Sequence, residues 1–223
     1  MLKQEHHTPA QIERASMEII QRELEERGIC LPEENAHVIR RVIHTTADFE
    51  YVENLYFSPS AVGRAMETLK TGTVIVTDTN MAKAGVSKAA LKRLGGEVFC
   101  FMAEPEVTEE ARKQGSTRAA AAMELAGVRY PKAVFAVGNA PTALLRLCEL
   151  MEEGLRPALV IGVPVGFVNV VESKERLVET CRKYHIPVIT AMGRKGGSNV
   201  AAAICNALLY QAAELIQPEK RGW

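Results

Sequence analysis

Arg40, Arg41 and His44 stand together in Arg40-Arg41-Val42-Ile43-His44, which runs on into Thr45-Thr46-Ala47-Asp48-Phe49-Glu50. On a helix Arg41 and His44 share a face at i,i+3, and Arg40 lies i,i+4 from the same imidazole. One titratable acid or base would then sit beside fixed positive charge, a pairing suited to an anionic substrate. Arg41 by itself would disfavour the imidazolium, whereas bound carboxylates would favour it. The same residues also fit a histidine at a helix C-terminus that donates to the last carbonyls, with the arginines on a solvated stripe.

A second candidate is Gly193-Arg194-Lys195-Gly196-Gly197-Ser198-Asn199, ahead of a helix expected over 200–215. Gly196 and Gly197 let backbone N–H groups converge, Ser198 can cap the helix, and Arg194 and Lys195 add charge, all of which suits an anion. A tight turn with an ordinary cap accounts for the same residues. Ser116-Thr117-Arg118 opens an alanine-rich helix through Ala126 and sets a guanidinium beside free backbone donors. In Gly138-Asn139-Ala140-Pro141-Thr142 the expected roles are a cap for Asn139 and a first-turn position for Pro141. The chain holds no Walker loop, no Gly-x-Gly-x-x-Gly and no Gly-x-Ser-x-Gly elbow, which disfavours nucleotide, dinucleotide and serine-esterase chemistry. Of His6, His7, His37, His44 and His185, only His37 and His44 share a helix face. Two turns separate them, about 10 Å by helical rise, too far for one ion, so no bound metal is expected.

The elements that must carry these residues follow from the apolar pattern. Short β-branched runs at 73–77, 97–102, 133–137, 158–161 and 187–190 alternate with amphipathic segments. The pattern predicts an α/β fold, a parallel sheet of about five strands with helices on both faces. An N-terminal helical region precedes it, with helices from Thr8-Pro9-Ala10-Gln11 to Gly28, from Pro32 to His44, and from Ser58-Pro59 to Lys70. In such sheets ligands bind beyond the carboxyl ends of the strands, where Asp78-Thr79-Asn80, Gly138-Asn139, Gly162 to Phe167 and Gly193 to Asn199 all fall. The 223 residues predict one domain, 1–223. With 27 basic and 27 acidic residues, no global field draws the chain to nucleic acid or a membrane surface. Cys30, Cys100, Cys148, Cys181 and Cys205 are scattered and odd in number, which points to a reducing compartment. The start Met-Leu-Lys-Gln-Glu-His-His lacks the apolar core of a signal peptide, and no apolar run reaches membrane-spanning length, so a cytoplasmic location is expected.

Four motifs occur in this order: Arg-Val-Ile-His-Thr-Thr-Ala-Asp-Phe-Glu-Tyr, Gly-Asn-Ala-Pro-Thr-Ala-Leu, Gly-Val-Pro-Val-Gly-Phe-Val with Glu-Ser-Lys-Glu, and Gly-Arg-Lys-Gly-Gly-Ser. As an ordered set spanning nearly the whole chain they closely resemble the precorrin-8X methylmutase family, also called cobalt-precorrin-8 methylmutase. The resemblance implies a homodimeric α/β isomerase that moves a methyl group of a tetrapyrrole from C-11 to C-12, without a redox cofactor. It implies His44 as the catalytic histidine and Arg41, Ser16, Ser87, Thr117 and Arg118 as substrate contacts. Ser16 is followed by Met17 where the family usually has Phe. Arg194, Gly196, Gly197 and Ser198 join the expected substrate site from the reading of the residues. A tetrapyrrole carrier without catalysis, and a nucleotide- or phosphate-binding enzyme using 193–199, are the competing expectations.

Overall fold

The computed structural model describes residues 8–221, so His6 and His7 lie outside the described residues. Helix α1 (Pro9–Glu26) opens with the expected capping box, Thr8 and Gln11 each satisfying the other's backbone N–H. Helix α2 (Glu33–Thr46) carries Arg41 and His44 and ends at Ala47, a left-handed residue with φ 53°. A short α3 (Tyr51–Asn54), strand β1 (Leu55–Phe57) and helix α4 (Ala61–Leu69) follow. The sheet proper then alternates with helices: β2 (Ile75–Thr77), α5 (Asn80–Gly85), α6 (Lys88–Arg93), β3 (Val98–Phe99), α7 (Pro105–Gln114), α8 (Arg118–Arg129) and β4 (Val134–Val137). Next come α9 (Pro141–Glu152), β5 (Leu159–Gly162), α10 (Val170–Lys183), β6 (Val188–Ala191), α11 (Ser198–Ala212) and a 3-10 turn at Pro218–Arg221.

The strand order is β1-β6-β5-β4-β2-β3. Strands β2 to β6 are parallel, as expected, but a sixth strand, β1, pairs antiparallel with β6 at the edge through Leu55↔Ala191 and Phe57↔Ile189. Three residues are too few to show an alternating pattern, and the Ser58-Pro59 beside them reads as a helix start. Ser58 instead extends the edge: its N–H donates to the Val188 carbonyl, and its Oγ accepts the Val188 N–H. Helix α4 therefore begins at Ala61, past the expected boundary.

Period-two alternation splits the core. Ile75, Val134, Leu159 and Ile189 pack with α1, α2, α4 and α11 on one side of the sheet. Val76, Phe135, Val160 and Val188 pack with α7 to α10 on the other. Strand order reverses between β2 and β4, and the crevice at such a reversal is where α/β sheets usually take ligands. Here Asp78, 1% exposed, fills it, its carboxylate accepting the N–H groups of Gly138, Asn139 and Ala140 at 2.8 Å. Asn139 does not cap α9: the N-cap is Ala140 with no side-chain cap, the loop before it being held by Asp78, and Pro141 opens α9 as expected.

Candidate active site

His44 occupies the last turn of α2, half-buried. One turn back, Arg41 donates to Glu13 of α1 at 2.6 Å, and Arg221 from the C-terminal turn donates to the same carboxylate at 2.6 and 2.8 Å. Both guanidiniums lie over the ring of Tyr210 on α11, at 5.3 and 3.9 Å. Burial first, and then the charge of Arg41, lower the His44 imidazole below its ordinary range; Glu13 works against them and Arg221 adds to them. In the free chain the balance favours the neutral imidazole. Arg40 turns to α1 and donates to Gln21 at 2.8 Å. Ser16, on the same helix as Glu13, gives its hydroxyl to the Ile12 carbonyl at 2.9 Å.

The end of α2 is tied to the carboxyl edge of the sheet. Lys195, in the loop after β6, reaches Asp48 at 2.5 Å and Glu50 at 2.7 Å, just beyond His44. That loop is folded tightly. Gly196 and Gly197 have φ of 159° and 132°, and a Cβ on Gly196 would overlap the Val163 carbonyl. Gly197 donates to Val163 at 2.8 Å, and Gly166 donates to the Arg194 carbonyl at 3.3 Å. Arg194 is exposed and lies over Phe167, itself 83% exposed.

Ser198 departs from its expected role. Gly197 is the N-cap and α11 starts at Ser198, whose hydroxyl pairs with Thr79 at 2.7 Å. Glycine at the cap leaves the first-turn N–H groups of α11 without a side-chain acceptor from that position, as an anion-binding end requires. Ser87 caps α6, and its N–H donates to Asn206 of α11 at 2.7 Å. Thus α11 links the turn at Ser198, the cap at Ser87 and the arginine cluster at Tyr210.

Thr117 caps α8 and meets Thr142, in the first turn of α9, at 2.9 Å; Arg118 beside it is exposed. These residues sit at the carboxyl edge, on the face of the sheet opposite to α2. Contacts within one chain therefore gather His44, Arg41 and the 193–198 turn along one rim, while Thr117 and Arg118 form a separate shoulder. A groove of about 590 Å³ between α1 and α2, lined by Glu13, Met17, Gln21, His37, Arg40 and Arg41, reaches Arg41 but does not include His44. Among the described residues no cluster of His, Cys, Asp or Glu could hold a metal ion.

Reading for reactive motifs overlooks Glu13, Tyr210 and Arg221, and it quotes Asp78 and Lys174 within motifs without giving either a role. Glu13 had a signal: it falls on the stripe of Met17, Ile20 and Leu24, where a carboxylate needs a partner. Arg221 had none, because only the fold carries the C-terminal turn to α1.

The six-stranded, mostly parallel sheet with helices on both faces defines an α/β protein whose carboxyl rim carries an imidazole beside paired guanidiniums. A model of the precorrin-8X methylmutase family matches residues 11–211. The cobalt-precorrin-8 methylmutase of Salmonella typhimurium is 47% identical over 178 residues, covering 79% of this chain and 81% of that protein. The Priestia megaterium enzyme of the same name is 41% identical, covering 90% and 87%. The crystal structure of the Thermus thermophilus precorrin-8x methyl mutase superposes with a TM-score of 0.81 at 39% identity, covering 91% of this chain and 98% of that one. The chain belongs to the precorrin-8X methylmutase family, and is an isomerase, an intramolecular methyl transferase of cobalamin biosynthesis acting on a tetrapyrrole.

Proposed function

We propose that the protein, as one domain over 1–223, moves a methyl group from C-11 to C-12 of precorrin-8X or cobalt-precorrin-8, with His44 as proton donor and acceptor. The observation that carries this reading is the half-buried imidazole one turn from the Arg41–Glu13–Arg221 cluster, on the helix end that Lys195 ties to the 193–198 turn. The substrate's acetate and propionate groups would meet Arg41, Arg118, Arg194, the N–H of Gly196, the backbone edge at Gly197, whose own N–H is engaged by Val163, and the hydroxyls of Ser16, Ser87, Thr117 and Ser198. A hydrogen bond to a charged group contributes roughly 1.5–3 kcal/mol, so three or four anchor the macrocycle.

Carboxylates brought near His44 raise its proton affinity, opposing the burial and the Arg41 charge that lower it. The imidazolium donates to the conjugated ring near the migrating methyl, the electron-poor ring undergoes a [1,5]-sigmatropic shift, and the proton returns to His44. Substrate and product are isomers, so no proton is gained or lost overall. A homodimer would supply the wall that the open side of His44 lacks in a single chain. A cytoplasmic setting suits five free thiols. Against the nucleotide alternative at 193–199 stands the lack of a Walker loop in the sequence.

The test is turnover of metal-free and cobalt-containing substrate by catalytic amounts of purified protein, followed by absorption. His44→Ala should lose about 10² to 10⁴ in rate while still binding the pigment. Retained turnover in that variant defeats the assignment, and binding without turnover by the wild type leaves a carrier.

A further inference from the structure

Lys174 lies on α10 among Val170, Leu177, Val178 and Cys181, and its side chain is 0% exposed. A lysine shut away from water is rare unless its charge is answered. Two carbonyls answer this one: Nζ donates to Gly193 and to Lys195, both at 2.8 Å. Burial, with no charge from a neighbouring element contributing, lowers its ammonium to about 8.

The carbonyl between those two, that of Arg194, accepts the N–H of Gly166. Three successive carbonyls of the turn are therefore held by donors from the body of the protein. With those oxygens engaged, the side chains of Arg194 and Lys195 reach elsewhere, to Phe167 and to Asp48 and Glu50. Free carbonyl oxygens facing a polyacid would repel it, whereas cations and N–H groups attract it.

We propose that Lys174 is a positioning residue of the methylmutase site, an internal cation that draws the Gly193 and Lys195 carbonyls away from the cleft so that the turn presents the Arg194 guanidinium to an anionic substrate. The same anchor extends to the catalytic helix. Lys174 holds the Lys195 carbonyl, and Lys195 in turn holds Asp48 and Glu50 at the end of α2. The catalytic consequence rests on the site reading above; the anchoring does not.

The test compares wild type with Lys174→Met and Lys174→Gln by hydrogen exchange of the 193–198 segment, thermal melting, and steady-state kinetics on cobalt-precorrin-8 and precorrin-8X. Methionine fills much of the space without a donor, and glutamine keeps one donor group, so glutamine carries the comparison if the methionine variant fails to fold. We expect exchange at Gly197, whose N–H closes the loop on Val163, to accelerate about tenfold or more in the methionine variant. KM should rise by a similar factor with kcat less affected, and both changes should be smaller for glutamine. Wild-type affinity should weaken as pH rises through about 8, a limb absent from Lys174→Met. A folded variant whose loop exchange and KM both match wild type overturns the proposal, as does faster exchange with unchanged KM. A wild type that turns over neither substrate sinks the function proposed above, while the exchange comparison still decides whether Lys174 anchors the turn.

Discussion

Glu13→Gln tests the electrostatics of the site most directly. Glu13, with a side chain 12% exposed, stands between Arg41 at 15% and Arg221 at 6%. Burial pushes its carboxyl up, but hydrogen bonds from Arg221 and Arg41, together with their charges, bring it below the usual carboxylate range. Glutamine keeps the shape and one acceptor but removes the charge, leaving two guanidiniums close together and poorly solvated. Removing one partner of a buried pair costs about 3–5 kcal/mol; the remaining acceptor and partial exposure bring our figure to roughly 2–3 kcal/mol. For a chain of this length that is a fall in Tm of about 5–10 °C. Because the folded-state pKa is depressed, Glu13 contributes stability above its unfolded pKa that is lost as pH falls through its folded pKa. The variant should therefore lose stability at neutral pH and show a flatter acid limb. The same change removes the one charge that raises His44, so the imidazole should titrate lower still. Thermal melts against pH, with an NMR titration of His44, read both effects. An unchanged melting temperature at neutral pH, or a His44 that titrates higher in the variant, refutes the reasoning.

Burial first, with Arg40 and Arg41 adding to it, holds His37 down to about 4. It should weaken the fold as pH drops from about 6.5 toward 4, by up to roughly 3 kcal/mol, and melts of His37→Leu should lack that loss. Asp78→Asn offers the three N–H groups of Gly138, Asn139 and Ala140 one acceptor in place of a carboxylate, and should cost about 3 kcal/mol, read as a lower denaturant midpoint with an unchanged slope. An unshifted midpoint would show that the crevice closes without that charge. In Gly196→Ala the new methyl would run into the Val163 carbonyl and lie 2.8 Å from that of Pro164, so the turn must move. Tetrapyrrole affinity measured by fluorescence quenching should fall well before circular dichroism reports lost helix, and unchanged affinity would remove the turn from the site.

Local chemistry carried much of the fold in advance. The capping box at Thr8 and Gln11, the helix opening at Ser116-Thr117-Arg118, proline at the start of α9 and β-branched runs at five parallel strands depend on neighbours a few residues apart, so a single chain displays them. His44 and Arg41 were legible for the same reason, since i,i+3 spacing is a property of one helix. Where the expectation failed, a distant partner had intervened. Ser58 was drawn into the sheet by Val188, the loop at Asn139 was fixed by Asp78 so that Ala140 became the N-cap, and Ser198 turned from capping to Thr79.

Sequence by itself determined the α/β class, the ordered motifs and the pairing of an imidazole with an arginine, because these rest on periodicity and on contacts within one turn. Tertiary structure alone decided how that arginine is neutralised, which carboxylate closes the strand crevice, and which buried lysine holds the glycine turn. Each of those depends on groups far apart in the chain, 208 residues for Arg221 and Glu13, 60 for Asp78 and Gly138. A charge removed from water needs a partner, and only the packing of helices on the sheet selects which one it meets.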